Sequence, residues 1–304
     1  MKIFTIIVTY NGMQRNWIQK CLDSLLVSSV KIEVIIIDNG STDETRDFIR
    51  KNYPQVDLIT ANENLGFAKA NNIGIKKAYH QEADYVFLLN QDAWVKENTI
   101  EKLIEVFKEL PEAGIVSPIH LNGSKTSLDF NFVSYYITQY NTPNFVSDLY
   151  FNRLQNFYET YFVNAAAWLI SRKCIETVGG FDTLIFYHYG EDENYCQRVI
   201  YHGFKIYIVT TTVICHDREE RKGNRPKEYE KRRRDAELSS YYGDITKDDR
   251  IVNDLKARLL RYAVKKNLNL QVKEFFLQRT MDRRFYANIK QSREQNKKVG
   301  LNWL

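Results

Sequence analysis

A chain of 304 residues, 44% hydrophobic and 27% charged, has the composition of an ordinary globular protein, with apolar material for one large core or two modest ones. Its apolar runs, Ile3 to Val8, Val34 to Ile37, Val86 to Leu89 and Ala165 to Ile170, are strand-sized, too short for a signal peptide or a bilayer span, so a cytoplasmic protein is expected. The net charge of +5 is modest, and Cys21, Cys174, Cys196 and Cys215 lack close-paired spacing, which predicts buried, reduced thiols instead of a disulfide framework or a cysteine metal site.

Lys2 to Thr9 is dense in Ile and Val and runs into Tyr10-Asn11-Gly12, which predicts a strand ending in a polar turn. Ile18, Leu22, Leu25 and Leu26 recur at helical spacing within Trp17 to Leu26. A strand over Glu33 to Asp38, a helix over Thr45 to Asn52, a short strand over Asp57 to Thr60 and a helix over Leu65 to Tyr79 follow. Tyr85 to Leu89 predicts a fourth strand, and a loop leads from it to a helix from about Asn98 to Leu110. Strand and helix alternate strictly, and the strands are apolar throughout, as a parallel sheet covered by helices on both faces requires.

The second half is less regular. Leu121 to Tyr161 is rich in Asn, Ser, Thr and Tyr without a period, which predicts a long excursion over the site. Phe162 to Ile170 reads as a strand, Arg172 to Val178 as a short helix broken by Gly179-Gly180, and Glu191 to His202 as a helix. Phe204 to Val209 and Thr212 to His216 read as strands, and helices are expected from Tyr229 onward. Ile251, Leu255, Leu259, Tyr262 and Ala263 make an apolar stripe flanked by Lys256, Arg258, Arg261, Lys265 and Lys266, an amphipathic basic helix. With Arg218, Arg221, Lys222, Arg225, Lys227 and the block Lys231 to Arg234, it forms a basic tail suited to an anionic partner or, more plainly, a solvated helix face.

In such a sheet ligands bind beyond the carboxyl ends of the strands, where Thr9, Tyr10 and Asn11, Asp38 to Ser41, and Asn90, Gln91 and Asp92 lie. Asp38 can accept hydrogen bonds from a nucleobase or ribose, or cap the next helix. Asp92 can meet a divalent cation with Asn90 beside it, leaving positions for phosphate oxygens. Glu191-Asp192-Glu193 opens a helix; three adjacent carboxylates exceed what the helix dipole asks for, and their crowding favours a general base. His216 ends a strand and can ligate the same metal, or stand as an ordinary surface histidine. The chain lacks G-x-G-x-x-G and G-x-x-x-x-G-K-[ST], so neither a dinucleotide fold nor a P-loop is supported.

Taken together, Ile7 to Asn11, Ile36 to Asp43, Asn62 to Asn72, Leu88 to Asp92, Gly179-Gly180-Phe181-Asp182, Glu191-Asp192 with Cys196 and Arg198, and His216 resemble the family-2 glycosyltransferases of GT-A fold, in their rhamnosyltransferase-like branch. The resemblance implies an α/β GT-A domain over residues 1–218, with a nucleotide-binding half over 1–110 and an acceptor-binding half over 111–218, followed by a mainly helical basic region over 219–304. It implies donor contacts at Thr9, Tyr10, Asn11, Asp38, Asn64, Gly66, Lys69, Asn90 and Gln91, and Mg²⁺ or Mn²⁺ on Asp92 and His216. Asp192 would be the general base, with Glu191 beside it shaping the acceptor site. Two positions depart from the family pattern: Asn90 replaces the first acid of D-x-D, and Asn194-Tyr195 follows the acidic cluster. No Q-x-x-R-W motif occurs, which favours transfer of one sugar per encounter.

The expected reaction is inverting transfer of a sugar from a nucleoside-diphosphate donor, dTDP-rhamnose or a UDP-sugar, to a saccharide or lipid-linked saccharide in cell-surface polysaccharide synthesis. The basic tail would rest on an anionic inner membrane face, and no nucleic acid is expected as a partner. The rivals are a sugar-phosphate nucleotidyltransferase, for which Asn11 to Arg15 is a poor triphosphate loop, and a non-catalytic sugar or nucleic-acid binding module, which leaves the acidic cluster without a purpose.

Overall fold

The computed structural model describes residues 1–218, 227–265, 268 and 270–304. Its first half runs β1 (Ile3–Thr9), α1 (Trp17–Leu26), β2 (Glu33–Asp38), α2 (Thr45–Asn52), β3 (Asp57–Thr60), α3 (Phe67–His80), β4 (Tyr85–Leu89), β5 (Ala93–Val95) and α4 (Thr99–Glu109). The second half runs β6 (Ala113–Asn122), a π-helical turn (Phe132–Tyr136), α5 (Phe145–Tyr150), β7 (Phe157–Thr160), β8 (Ala167–Ser171), α6 (Arg172–Val178), α7 (Glu191–Tyr201) and β9 (Lys205–His216). Helices α8 (Lys227–Gly243), α9 (Arg250–Asn253), α10 (Leu255–Ala263), α11 (Leu270–Met281) and α12 (Arg283–Asn296) complete the described chain.

The strands form one sheet in the order β3-β2-β1-β4-β8-β6-β9-β5, with β7 paired to β9. The strands β3, β2, β1 and β4 are parallel; β8 runs antiparallel to β4 and β6, and β9 runs parallel to β6. Successive residues serve opposite faces: Ile35 and Ile37 join one core with α3, α6 and α7, and Ile36 joins the other with α1 and α4. Burial on both faces is why these strands read as unbroken apolar runs.

Several elements depart from the sequence expectation. The expected strand Phe162 to Ile170 is instead the shorter β8, with β7 before it, and β5 and β6 carried no distinct strand signal. The two strands expected around Thr210 to Thr212 are one strand, β9, with a bulge where its register jumps from Pro118↔Val209 to Ile119↔Val213. Before the bulge β9 pairs with β7, and after it with β5.

The carboxyl-terminal helices build a third, smaller core from Tyr242, Leu255, Leu259, Phe285 and Ile289. Of the expected amphipathic stripe, Leu255, Leu259 and Ala263 are buried in the protein, while Tyr262 is exposed. The basic residues Arg221, Lys222, Arg225 and Lys266 lie outside the described residues, as does the side chain of Lys227.

Candidate active site

Asp38 ends β2 in register with Thr9 of β1 and Thr60 of β3, at the carboxyl edge of the parallel half. Its carboxyl is fully buried. One oxygen accepts the Ser41 N–H at 3.1 Å and pairs with Arg46, while Oδ2 takes no hydrogen bond from the chain. A buried acceptor left open at a ligand edge is the observation that suits Asp38 to a donor group of a nucleoside.

Gln91 joins the ends of β1 and β4. Its Oε1 accepts from the Thr9 hydroxyl at 2.6 Å and the Tyr10 N–H at 3.0 Å, and its Nε2 donates to the Tyr10 carbonyl at 3.0 Å. Its amide therefore holds the strand ends in place and is largely occupied by the protein. Asn11, at φ +49°, accepts the Thr42 N–H at 2.9 Å and donates its own N–H to Ser41 at 3.0 Å, which links the first two turns.

The loop before α3 is knotted by amides. Asn39 donates to the Asn64 side chain at 3.0 Å and accepts the Leu65 N–H at 2.7 Å, and Asn64 accepts the Gly66 N–H at 2.9 Å. Gly66 has φ +79°, and a Cβ there would lie 2.2 Å from the Tyr187 carbonyl oxygen. The Tyr187 hydroxyl donates to the Asn64 carbonyl at 3.0 Å. This loop is thus fastened to the stretch leading into α7. Lys69, one turn further on, is exposed, and no hydrogen bond described here ties it to the other candidates.

Asp92 and His216 meet because β5 pairs antiparallel with β9, placing Ala93 opposite His216, and the Asp217 N–H donates to the Asp92 carbonyl at 2.9 Å. His216 Nε2 lies 3.5 Å from Asp92 Oδ1 with both side chains nearly fully buried, and His216 Nδ1 has no hydrogen-bond partner. A carboxylate oxygen and an imidazole nitrogen held this close have the chemistry that would suit a shared divalent cation. Among the described residues, no group of three or more His, Cys, Asp or Glu is arranged to hold a metal.

Glu191, Asp192 and Glu193 open α7 but do different things. Glu193 is exposed and accepts from Ser240 of α8 at 2.5 Å. Glu191 is buried, and burial followed by the neighbouring Asp192 charge pushes its carboxyl above the ordinary range. Asp192 keeps partial access to solvent. Burial pushes its carboxyl up as well, the Glu193 charge adds to this, and the N–H groups of Glu193 and Ala165 oppose it.

The entry to β8 lies near both acidic clusters. Asn90 donates its N–H to the Ala166 carbonyl at 3.0 Å, in continuation of the pairing Leu89↔Ala167, and the N–H of the preceding residue, Ala165, is near enough to Asp192 to help lower its pKa. A second path is aromatic. His216 and His120 are 6.2 Å apart, His120 lies 5.0 Å from Phe132, and Phe132 lies 6.0 Å from Tyr136, whose hydroxyl the Asp192 charge helps to hold protonated after burial. Burial and then the nearby His216 keep His120 neutral, its pKa well below the usual imidazole range.

Sequence reasoning missed Asp129, Tyr136 and Arg218. Arg218 donates twice to the buried Asp129 carboxylate, at 2.8 and 2.6 Å, and its charge acts on the nearby Tyr136 hydroxyl. Burial would raise the Asp129 pKa, but Arg218 outweighs it and holds the carboxyl below its usual range. Arg218 had been counted with the basic tail, although its position two residues after His216 at a strand end was a usable signal. Asp129 and Tyr136 sit in the aperiodic segment, where spacing carries no information.

Behind α7 the Gly179-Gly180-Phe181-Asp182 turn serves as a socket. Arg198 donates to the carbonyls of Val178 and Gly180, and the Tyr195 hydroxyl donates to the Gly179 carbonyl at 2.9 Å. Asp182 is buried and accepts from Ser292 at 2.5 Å and Asn296 at 3.0 Å, both on α12. The catalytic-side helix is thus fixed from below by backbone carbonyls and by the carboxyl-terminal region.

A parallel β/α half with an open carboxylate at its ligand edge, joined to a mixed half that brings a second carboxylate to that edge, is the GT-A architecture of nucleotide-sugar enzymes. The chain belongs to glycosyl transferase family 2, whose description matches residues 5–179, and it is an enzyme of that kind, moving a sugar from a nucleoside-diphosphate-sugar to an acceptor. It is 24% identical to the dTDP-rhamnosyl transferase RfbF of Shigella flexneri over 217 residues, 70% of this chain and 68% of that protein. It is 28% identical to the glycosyltransferase GlyA of Streptococcus pneumoniae over 156 residues, 49% of this chain and 22% of that one. Among solved structures, the S. aureus TarS fragment 1–349 superimposes with a TM-score of 0.60 at 14% identity, covering 98% of this chain and 90% of that one. GalNAc-T7 with UDP, GalNAc and Mn²⁺ superimposes with a TM-score of 0.63 at 14% identity, covering 91% of this chain and 54% of that one.

Proposed function

We propose that the enzyme transfers one sugar per encounter, with inversion, from dTDP-rhamnose or a UDP-sugar to a hydroxyl of a saccharide or lipid-linked saccharide in cell-surface polysaccharide synthesis. The observation that carries this reading is the nearly fully buried Asp92–His216 pair, which Gln91 and Thr9 join to the strand edge where Asp38 Oδ2 takes no hydrogen bond from the chain. The name of the Shigella relative supports a rhamnosyl donor, and the rhamnosyltransferase-like branch is proposed on that ground.

Asp38 receives the nucleoside through its open Oδ2, with Thr9, Tyr10 and Asn11 lining the same edge. Asp92 and His216 hold Mg²⁺ or Mn²⁺, a reading supported by their 3.5 Å separation and by the Mn²⁺ in the GalNAc-T7 structure. When bound, the ion neutralises charge on the departing diphosphate. Asp192 accepts the acceptor's proton as that oxygen attacks the anomeric carbon, and Glu191 shapes the wall beside it. With a single base and no second nucleophile, one displacement inverts the carbon.

Thermal shift against a panel of nucleotide-sugars with Mn²⁺, followed by hydrolysis of the stabilising donor, tests the reading. Stabilisation by at least one dTDP- or UDP-sugar is expected, and stabilisation by nucleoside triphosphates alone would favour the nucleotidyltransferase. The basic tail brings the enzyme to an anionic membrane surface by charge, since Leu255, Leu259 and Ala263 of α10 are buried. No described helix is long and apolar enough to cross a membrane.

A further inference from the structure

Residues 130–145 carry no charged side chain, and they begin immediately after Asp129, which Arg218 ties to the site. Within this segment and at Tyr161 the chain exposes tyrosines: Tyr135 is 57% exposed, Tyr140 93% and Tyr161 56%. Their placement follows from one buried knot. The two N–H bonds of the Asn141 side-chain amide are shared among the Tyr136 carbonyl at 2.6 Å, the Thr160 hydroxyl at 2.9 Å and the Phe162 carbonyl at 2.6 Å, and the Tyr161 N–H donates to the Asn141 carbonyl at 3.0 Å. Each exposed tyrosine adjoins a member of this knot, so the three rings stand out around a fixed base.

That base reaches the reacting centre. Tyr136 packs on Phe162 at 5.2 Å and on Phe132 at 6.0 Å, and from Phe132 the aromatic contacts run through His120 at 5.0 Å to His216 at 6.2 Å. We propose that Tyr135, Tyr140 and Tyr161 form a platform for the sugar rings of an uncharged, multi-sugar acceptor, beyond the ring that carries the reacting hydroxyl. A pyranose presents an apolar C–H face that packs on a flat aromatic ring while its hydroxyls reach neighbouring amides; the rim supplies such rings, with Gln139 beside Tyr140 and no charged residue over 130–145. The platform is continuous with the candidate active site, which is where the remainder of a saccharide acceptor must lie. Hydroxyl-bearing rings on an uncharged rim suit a sugar better than an anionic bilayer surface. The inference rests on the transferase reading above.

The test titrates the full chain with UDP and dTDP in Mn²⁺, then with neutral mono-, di-, tetra- and hexasaccharides of glucose, galactose, N-acetylglucosamine and rhamnose. The affinity of at least one series should rise with length, and the double variant Tyr140→Ala/Tyr161→Ala should lose about 5-fold or more of that gain. Tyr140→Phe/Tyr161→Phe should keep the gain, and nucleoside-diphosphate affinity should not change in either variant. Survival of the length gain in the alanine variant, or no saccharide binding to a chain that binds UDP or dTDP, would overturn the platform. Binding to phosphatidylcholine vesicles that disappears in the alanine variant would assign the surface to lipid and overturn it too. Failure of both UDP and dTDP to bind would bring down the transferase reading, and the platform with it.

Discussion

At the residue scale, what surrounds Asp192 sets it apart from its neighbours and supports its proposed role as the proton acceptor. Glu191 is buried and Glu193 bonds Ser240, so of the three carboxylates Asp192 combines solvent access with a raised pKa. Asp192 must be ionised to accept a proton, so kcat/KM should fall as pH drops through the raised pKa of the Glu191–Asp192 pair. This acid limb should lie above the ordinary aspartate value of about 4. A pH profile measured with a saturating donor checks it, and Asp192→Asn should remove the limb along with most of the rate. A limb that persists in Asp192→Asn would assign it to another group.

The residues legible in advance were those that end apolar strands, because a parallel sheet puts its ligands there. Asp38, Asp92 and His216 were picked out on that rule and on the family resemblance, and the structure places each at or just beyond a strand end. Gln91 was found too, but its side chain is bound to Thr9 and Tyr10, and a polar residue at a strand end carries no mark of which partner it takes. Asp129, Tyr136 and Arg218 were missed because their meeting depends on how residues 123–156 fold back, which no period records.

At the scale of elements, the loop before α3 and the lead into α7 are joined where Gly66 lies against the Tyr187 carbonyl. In Gly66→Ala the positive φ costs about 1 kcal/mol, and the added Cβ must push Tyr187 and the lead into α7 aside. The variant should remain folded by circular dichroism and lose about 10-fold or more in kcat/KM, because small misplacements at a reacting centre are costly. Full activity would show that the two elements need not touch.

The first-half helices and strands were legible because they are local, strongly periodic and buried on defined faces. β5, β6 and β7 were not, because β5 and β7 are short and take their place from β9 across the sheet. The bulge in β9 reads in sequence as the polar run Thr210 to Thr212, which resembles a break between two strands.

At the scale of the whole molecule, the carboxyl-terminal helices support α7 from behind. The buried Asp182 carboxylate takes donors from Ser292 and Asn296, and the Asn72 amide reaches the Trp303 carbonyl at 3.1 Å. Ser292→Ala/Asn296→Ala leaves that carboxylate short of donors and should cost about 2 kcal/mol or more, read as a lower urea midpoint. An unchanged midpoint would mean that α12 docks independently of Asp182. Membrane attachment by charge predicts co-sedimentation with phosphatidylglycerol vesicles that weakens with added salt; equal binding to neutral vesicles would contradict it.

The proposed reaction requires Asp92 and His216, which would hold an ion at the leaving group, and Asp192, which would take the proton, to serve one site. UDP titrations with and without Mn²⁺, set beside turnover for Asp92→Ala and Asp192→Asn, test it most directly. Asp92→Ala should lose the Mn²⁺-dependent part of UDP affinity. Asp192→Asn should keep UDP affinity and lose about 10²-fold or more in kcat. Equal UDP affinity in wild type and Asp92→Ala at every Mn²⁺ concentration, together with wild-type turnover in Asp192→Asn, would contradict the account.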